Sequence, residues 1–254
     1  MKRSLRAALC GVVLAALAAP ALTTPAWAAA PSIEGDWGHY FPTPGQAAPD
    51  PKLAPPPAPP PPLKPEYLKA YQAHQAAAKA ADAKGEPLAS ASVACLPDGM
   101  PQMMFAIYPL EILVNQGKVT VIEEAYSQVR HIFLDQPQTK IEDTAPGYYG
   151  HSVGRWEGDT LVVDTIAVKE SVLIGRDVHH SDQMRITERI HLATPDVLHD
   201  EITIDDPVMF EHPWSFTYAY RRLPGYQMLE YVCEDNREYV DENGGTHLRL
   251  KSSN

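Results

Sequence analysis

Cysteine is scarce in this chain, three in 254 residues, too few for the disulfide framework that replaces a core in small secreted domains. Basic residues are in deficit as well. The 21 Lys and Arg face 32 Asp and Glu, a formal charge of -11, and a body so acidic repels nucleic acid and anionic membrane surfaces. Beyond the first residues no run approaches about 18 uninterrupted apolar positions, which excludes stable insertion of a later helix into a bilayer. Also missing are the metal-ligand spacings H-x-x-x-H, H-E-x-x-H and C-x-x-C, any internal repeat, and the alternation of strands and helices that marks an α/β fold. No metal and no cofactor is implied.

The chain opens on a secretory pattern: basic Lys2, Arg3 and Arg6, an apolar run from Ala7 to Leu22, then the small-residue motif Ala26-Trp27-Ala28. This predicts a signal peptide over 1–28 and a periplasmic or secreted mature chain. Cys10 leaves with that segment. The remaining Cys95 and Cys233 are an even pair in an oxidising compartment, which favours one disulfide; two separate buried thiols are the alternative.

Residues 29–64 read as a proline-rich extended arm. Half of the positions from Pro42 to Pro65 are proline, and proline supplies no amide donor to a helix or sheet. The bland reading is a spacer or surface-hugging arm, the functional one a ligand for a proline-binding partner protein. Pro65-Glu66-Tyr67-Leu68 then starts one helix of about 18 residues that stops at Gly85 and Pro87.

After Cys95 come short runs rich in Val, Ile, Thr and Tyr, separated by turn residues. Strands are predicted over Val119–Tyr126, Gln128–Leu134, Ser152–Trp156, Thr160–Val168, Met184–Leu192, Val197–Ile204, Trp214–Arg222 and Tyr226–Cys233. The fold class is mainly β, an antiparallel meander closing into a barrel, or folding into a sandwich, with one N-terminal helix. Residues 65–254 form a single domain in this reading.

Alternation in strands selects the candidate site. Glu188 shares a face with Met184, Ile186, Ile190 and Leu192, Glu230 with Tyr226, Met228 and Val232, and Arg130 with Ile132 and Leu134. Buried carboxylates are costly unless paired, and burial raises their pKa toward the range of proton transfer. Either these residues form an acid–base site, or an internal salt bridge of Glu188 or Glu230 with Arg130 fixes strand register. The loop Arg176-Asp177-Val178-His179-His180-Ser181-Asp182 adds His180 as an acid or base and His179 as a ligand contact. Trp156, Trp214 and Tyr218 offer rings for stacking on a ligand, or are core. Gly150-His151-Ser152-Val153-Gly154 matches the nucleophile elbow of serine hydrolases, with His151 beside the serine. That elbow needs a strand and then a helix, whereas Arg155-Trp156-Glu157-Gly158-Asp159 leads into a hairpin.

The run from Gly150 to Thr165, GHSVGRWEGDTLVVDT, resembles the signature of a family of exported bacterial proteins without an assigned activity. Cys95-Leu96-Pro97-Asp98-Gly99-Met100-Pro101, Gln128-Val129-Arg130, His180-Ser181, Thr187-Glu188-Arg189, Asp206-Pro207, Pro213-Trp214 and Glu230-Tyr231-Val232-Cys233-Glu234 resemble the same family. The resemblance brings no function with it. The expectation is an exported barrel that binds a small organic molecule and acts on it as a lyase, isomerase or hydrolase, or carries it unchanged. A partner-binding scaffold is the remaining class.

Overall fold

The computed structural model describes residues 32–42, 48–86, 88, 95–105, 107–175, 177–233, 238–240 and 246–248. The expected signal peptide and Arg176 of the histidine loop lie outside the described residues. Nine strands close into a barrel: β1 (Gly35–His39), β2 (Leu110–Asn115), β3 (Lys118–Glu123), β4 (Gln128–Leu134), β5 (His151–Glu157), β6 (Thr160–Ile166), β7 (Arg185–Thr194), β8 (Val197–Asp205) and β9 (Trp214–Arg222). The short pair β10 (Glu238–Val240) and β11 (Thr246–Leu248) forms a separate antiparallel ribbon. No helix among the described residues is long and apolar enough to cross a membrane.

An odd number of strands cannot alternate direction all the way round a ring, so one neighbouring pair must be parallel. That pair is β4 and β5. The connection between them, residues 135–150, is accordingly longer and irregular, with a 3-10 turn at Ile141–Asp143. Inside the barrel, Leu110, Ile112, Val119, Val121, Ile132, Leu161, Val163, Ile186, Ile190, Leu198, Ile202 and Ile204 are buried, each on the alternating face its strand turns inward.

Two elements correct the sequence-based boundaries. The barrel draws β1 from within residues 29–64, the segment assigned to the extended arm. Gly-Asp-Trp-Gly-His has little intrinsic strand preference; it is a strand because β2 and β9 both pair with it, and Trp37 is fully buried there. Conversely, Tyr226 to Val232 is not a strand. By that point β9 is paired on both edges, to β8 and β1, and no ladder is left to join. The segment instead crosses the chain at Glu124, whose carboxylate accepts from the Tyr226 hydroxyl at 2.6 Å and the Leu229 amide at 2.9 Å. β2 was not anticipated either, although its aliphatic run Leu110 to Val114 before the Gln116-Gly117 turn is a plain signal.

The helix, α1 (Pro65–Asp82), has proline in its first turn and no fully buried residue; Tyr67, Leu68 and Tyr71 pack against the core. The proline segment before it lies along the barrel. The Trp214 indole donates to the Pro59 carbonyl at 2.9 Å, the Glu211 amide to Pro62 at 2.8 Å, the Lys64 amide to Met209 at 2.9 Å, and the His199 Nε2–H to Leu53 at 2.8 Å. Cys95 and Cys233 are joined in a disulfide with Cα atoms 5.8 Å apart.

Candidate functional site

Strand alternation turns Arg130 of β4, Ser152 of β5, Thr165 of β6, Glu188 of β7 and Asp200 of β8 into the barrel, all essentially without solvent exposure. Arg130 and Glu188, 58 residues apart, form a fork-to-fork pair: Nη1 donates to Glu188 Oε1 at 2.8 Å and Nη2 to Oε2. The same guanidinium reaches Ser152 Oγ at 3.2 Å and Thr165 Oγ1 at 2.9 Å. Its Nε, Nη1 and Nη2 are thus all engaged, and the alternative of an internal salt bridge has its geometry here. A paired, hydrogen-bonded ion pair is the form in which charge is tolerated in such an interior.

Asp200 is different. It faces Tyr218 across β8 and β9 and Ile190 across β7 and β8. Its own proton can reach Glu188, but no donor reaches either of its oxygens. Burial above all, and then the neighbouring charge of Glu188, push its carboxyl well above the ordinary range, against the opposing pull of Arg130. Burial and that charge both act against ionisation of this carboxyl. On the neighbouring strand β9, Tyr218 and Tyr220 are raised too, by burial and then by Asp200.

His39 stands across β1 and β9 from Tyr220. Its imidazole stacks on Phe41 with centroids 3.4 Å apart and meets Phe105 edge-on at 4.8 Å; Phe105 in turn meets Tyr218 at 5.3 Å. Both ring nitrogens are buried without a protein partner. Burial, and secondarily Arg221, lower its pKa to about 4, so the ring is neutral at pH 7. Among the described residues six buried side-chain polar atoms lack a hydrogen-bond partner, and four of them belong to His39 and Asp200. Such atoms cost about 1–3 kcal/mol each when left unsatisfied. Their concentration under one group of rings, of which Phe41 is exposed and Phe105 and Tyr218 half-buried, marks this end of the barrel as the candidate site.

The other sequence-selected residues do not converge there. Glu230 is exposed on the irregular segment after β9, not inside the barrel, because that segment never joins the sheet. His180 is buried in the loop before β7, its Nδ1 donating to the Ser181 carbonyl at 2.8 Å and its Nε2 without a partner. The adjoining Ser181 is clamped by Asp206, whose carboxylate accepts from the Ser181 amide (2.6 Å) and hydroxyl (2.8 Å) and from the Val208 and Met209 amides (3.0 Å each). His179 is exposed in a separate cavity of about 250 Å³ beside α1, with Tyr71, His74 and Asp177. His151 points to the outer face of β5, bonded to Gln138 Oε1 at 2.8 Å. Trp156 is exposed near the end of β5, while Trp214 is buried and anchors Pro59. Only Tyr218 of the proposed ligand contacts belongs to the aromatic group.

Ser152 lies within β5, which continues to Glu157 and turns into β6, with no helix after it. The two glycines of its motif have steric causes: Gly150 sits at φ +64 in a turn where a Cβ would come within 2.4 Å of the Ile166 carbonyl, and a Cβ at Gly154 would lie 2.8 Å from Ile132. A second polar group includes Asp98, Glu123 and Gln128. Gln128 donates to Glu123 at 2.6 Å and accepts from the Gly99 amide at 3.1 Å. Burial, then Asp98, drive Glu123 up to about 9, with the Gln128 bond opposing. No group of three or more His, Cys, Asp or Glu among the described residues is placed to hold a metal ion.

Sequence reasoning missed Asp200, although the rule that selected Glu188 applies to it: in Leu198, Asp200, Ile202 and Ile204 it is the polar exception on the inward face of β8. His39 carried no such signal. The chain matches no protein-family model and no curated protein.

Proposed function

We propose that this is an exported small-molecule-binding barrel whose ligand enters past Phe41, Phe105 and Tyr218 and takes its polar contacts from Asp200 and His39. The observation that carries this reading is the concentration on those two residues of buried polar atoms that receive no hydrogen bond, beside a group of rings that reaches the surface. Binding sites combine apolar walls with a few placed polar groups, and buried polar atoms without protein partners call for a specific account. The Arg130–Glu188 pair is then the rigid floor of the site, and the disulfide accords with an oxidising compartment.

A second reading, an acid–base enzyme, rests on the proton that burial holds on Asp200. In it Asp200 takes the role first considered for Glu188 and His180. One experiment addresses both. NMR spectra of the full chain are recorded while small aromatic alcohols, amides and amines are added. The binding reading expects shifts confined to His39, Phe41, Phe105 and Tyr218, and the enzyme reading expects new product signals as well. Shifts that map to the cavity beside α1, or no shifts with any compound, overturn the proposed site.

A further inference from the structure

Resting on the ligand site proposed above, we infer that the ligand is a primary arylalkyl amine, with its ring against Phe105 and Tyr218 and its ammonium group donating to the Asp200 carboxylate. The charges around Asp200 point this way. Arg130 and Glu188 cancel, and the guanidinium spends its donors on Glu188, Ser152 and Thr165, so no cation in the floor is left over to receive an anionic ligand. Asp200 is the surplus acid. Of the other titratable groups around it, Tyr218 and Tyr220 on β9 and His39 on β1 are neutral, and Glu201 on its own strand adds negative charge.

An arriving ammonium supplies N–H donors for two oxygens that receive none, and the positive charge that lets the carboxyl ionise. The rings of Phe41, Phe105 and Tyr218 present negative π-faces that attract a cation and stack on an aromatic ring. The overall charge of -11 favours its approach. When the amine binds, Asp200 gives up its proton to solvent and the pair forms as carboxylate and ammonium.

The test is calorimetric titration of the full chain with 2-phenylethylamine and its neutral counterpart 2-phenylethanol. The amine should bind about tenfold more tightly than the alcohol, the difference a charge-assisted hydrogen bond supplies. Binding of the amine, which favours the ionised carboxyl, should release protons, read from the heats in two buffers of different ionisation enthalpy. Asp200→Asn, isosteric with the protonated carboxyl, should abolish both the preference and the proton release. Phe105→Leu should weaken both compounds alike. Equal binding of the two compounds, or tighter binding of the alcohol, overturns the amine and leaves the site standing. If neither binds, the site itself fails.

Discussion

Replacing Glu188 by glutamine removes the charge that Arg130 faces inside the barrel while leaving its bonds to Ser152 and Thr165. Stripping one partner from a buried pair costs about 3–5 kcal/mol when nothing takes its place. Here Asp200 can take its place. Burial and the charge of Glu188 act against ionisation of Asp200, and Arg130 favours it; in Glu188→Gln only burial is left against an Arg130 that has lost its counter-ion, and Asp200 ionises as a reserve counter-ion. The single variant should therefore lose only about 1–2 kcal/mol, the scale of a net hydrogen bond. Asp200→Asn alone, exchanging a neutral carboxyl for an amide, should stay within about 1 kcal/mol of the parent. The double variant, left with an uncompensated guanidinium, should lose the full 3–5 kcal/mol, a coupling of about 2 kcal/mol beyond additivity. Urea unfolding of the oxidised chain, followed by tryptophan fluorescence with the m-value checked for constancy, measures all four. Additive losses, or a full-sized loss in Glu188→Gln alone, would falsify the reserve role of Asp200.

Three other outcomes are expected. Glu123, with a folded pKa of about 9 against an ordinary 4.5, binds more protons folded than unfolded, so its contribution to stability is complete below about pH 4.5 and is lost as pH rises toward 9. Glu123→Gln should flatten that decline in unfolding curves taken from pH 5 to 9, and an unchanged slope would count against it. Asp206→Ala strips two hydrogen bonds from Ser181 in the loop that holds His180 and two from the Val208 and Met209 amides and should cost about 2–4 kcal/mol; a loss below about 1 kcal/mol would contradict the clamp. The Cys95→Ala, Cys233→Ala double variant opens a loop spanning 138 residues and should lose about 2–5 kcal/mol in the same unfolding assay, whereas an unaltered midpoint would show that the bridge contributes nothing.

What the sequence determined by itself is local in origin. Alternation over seven to ten residues is written into β4, β7, β8 and β9, so the mainly β class, the inward direction of Arg130 and Glu188, and the single helix were all legible. The pairing of Cys95 with Cys233 followed from their number. The tertiary structure decided everything that depends on which strand lies beside which. Gly35 to His39 becomes a strand because two edges need a partner, and Tyr226 to Val232 does not because no edge remains, so Glu230 ends outside. The motif residues Ser181, Asp206 and Trp214 turn out to tie loops and the proline segment to the barrel, a use that no spacing announces. The candidate site belongs to this second kind. Whether a buried carboxyl or imidazole finds a partner is settled by the side chains that closure of the barrel places around it, and His39 reaches Tyr218 and Tyr220 only because β1, the first strand, closes against β9, the last.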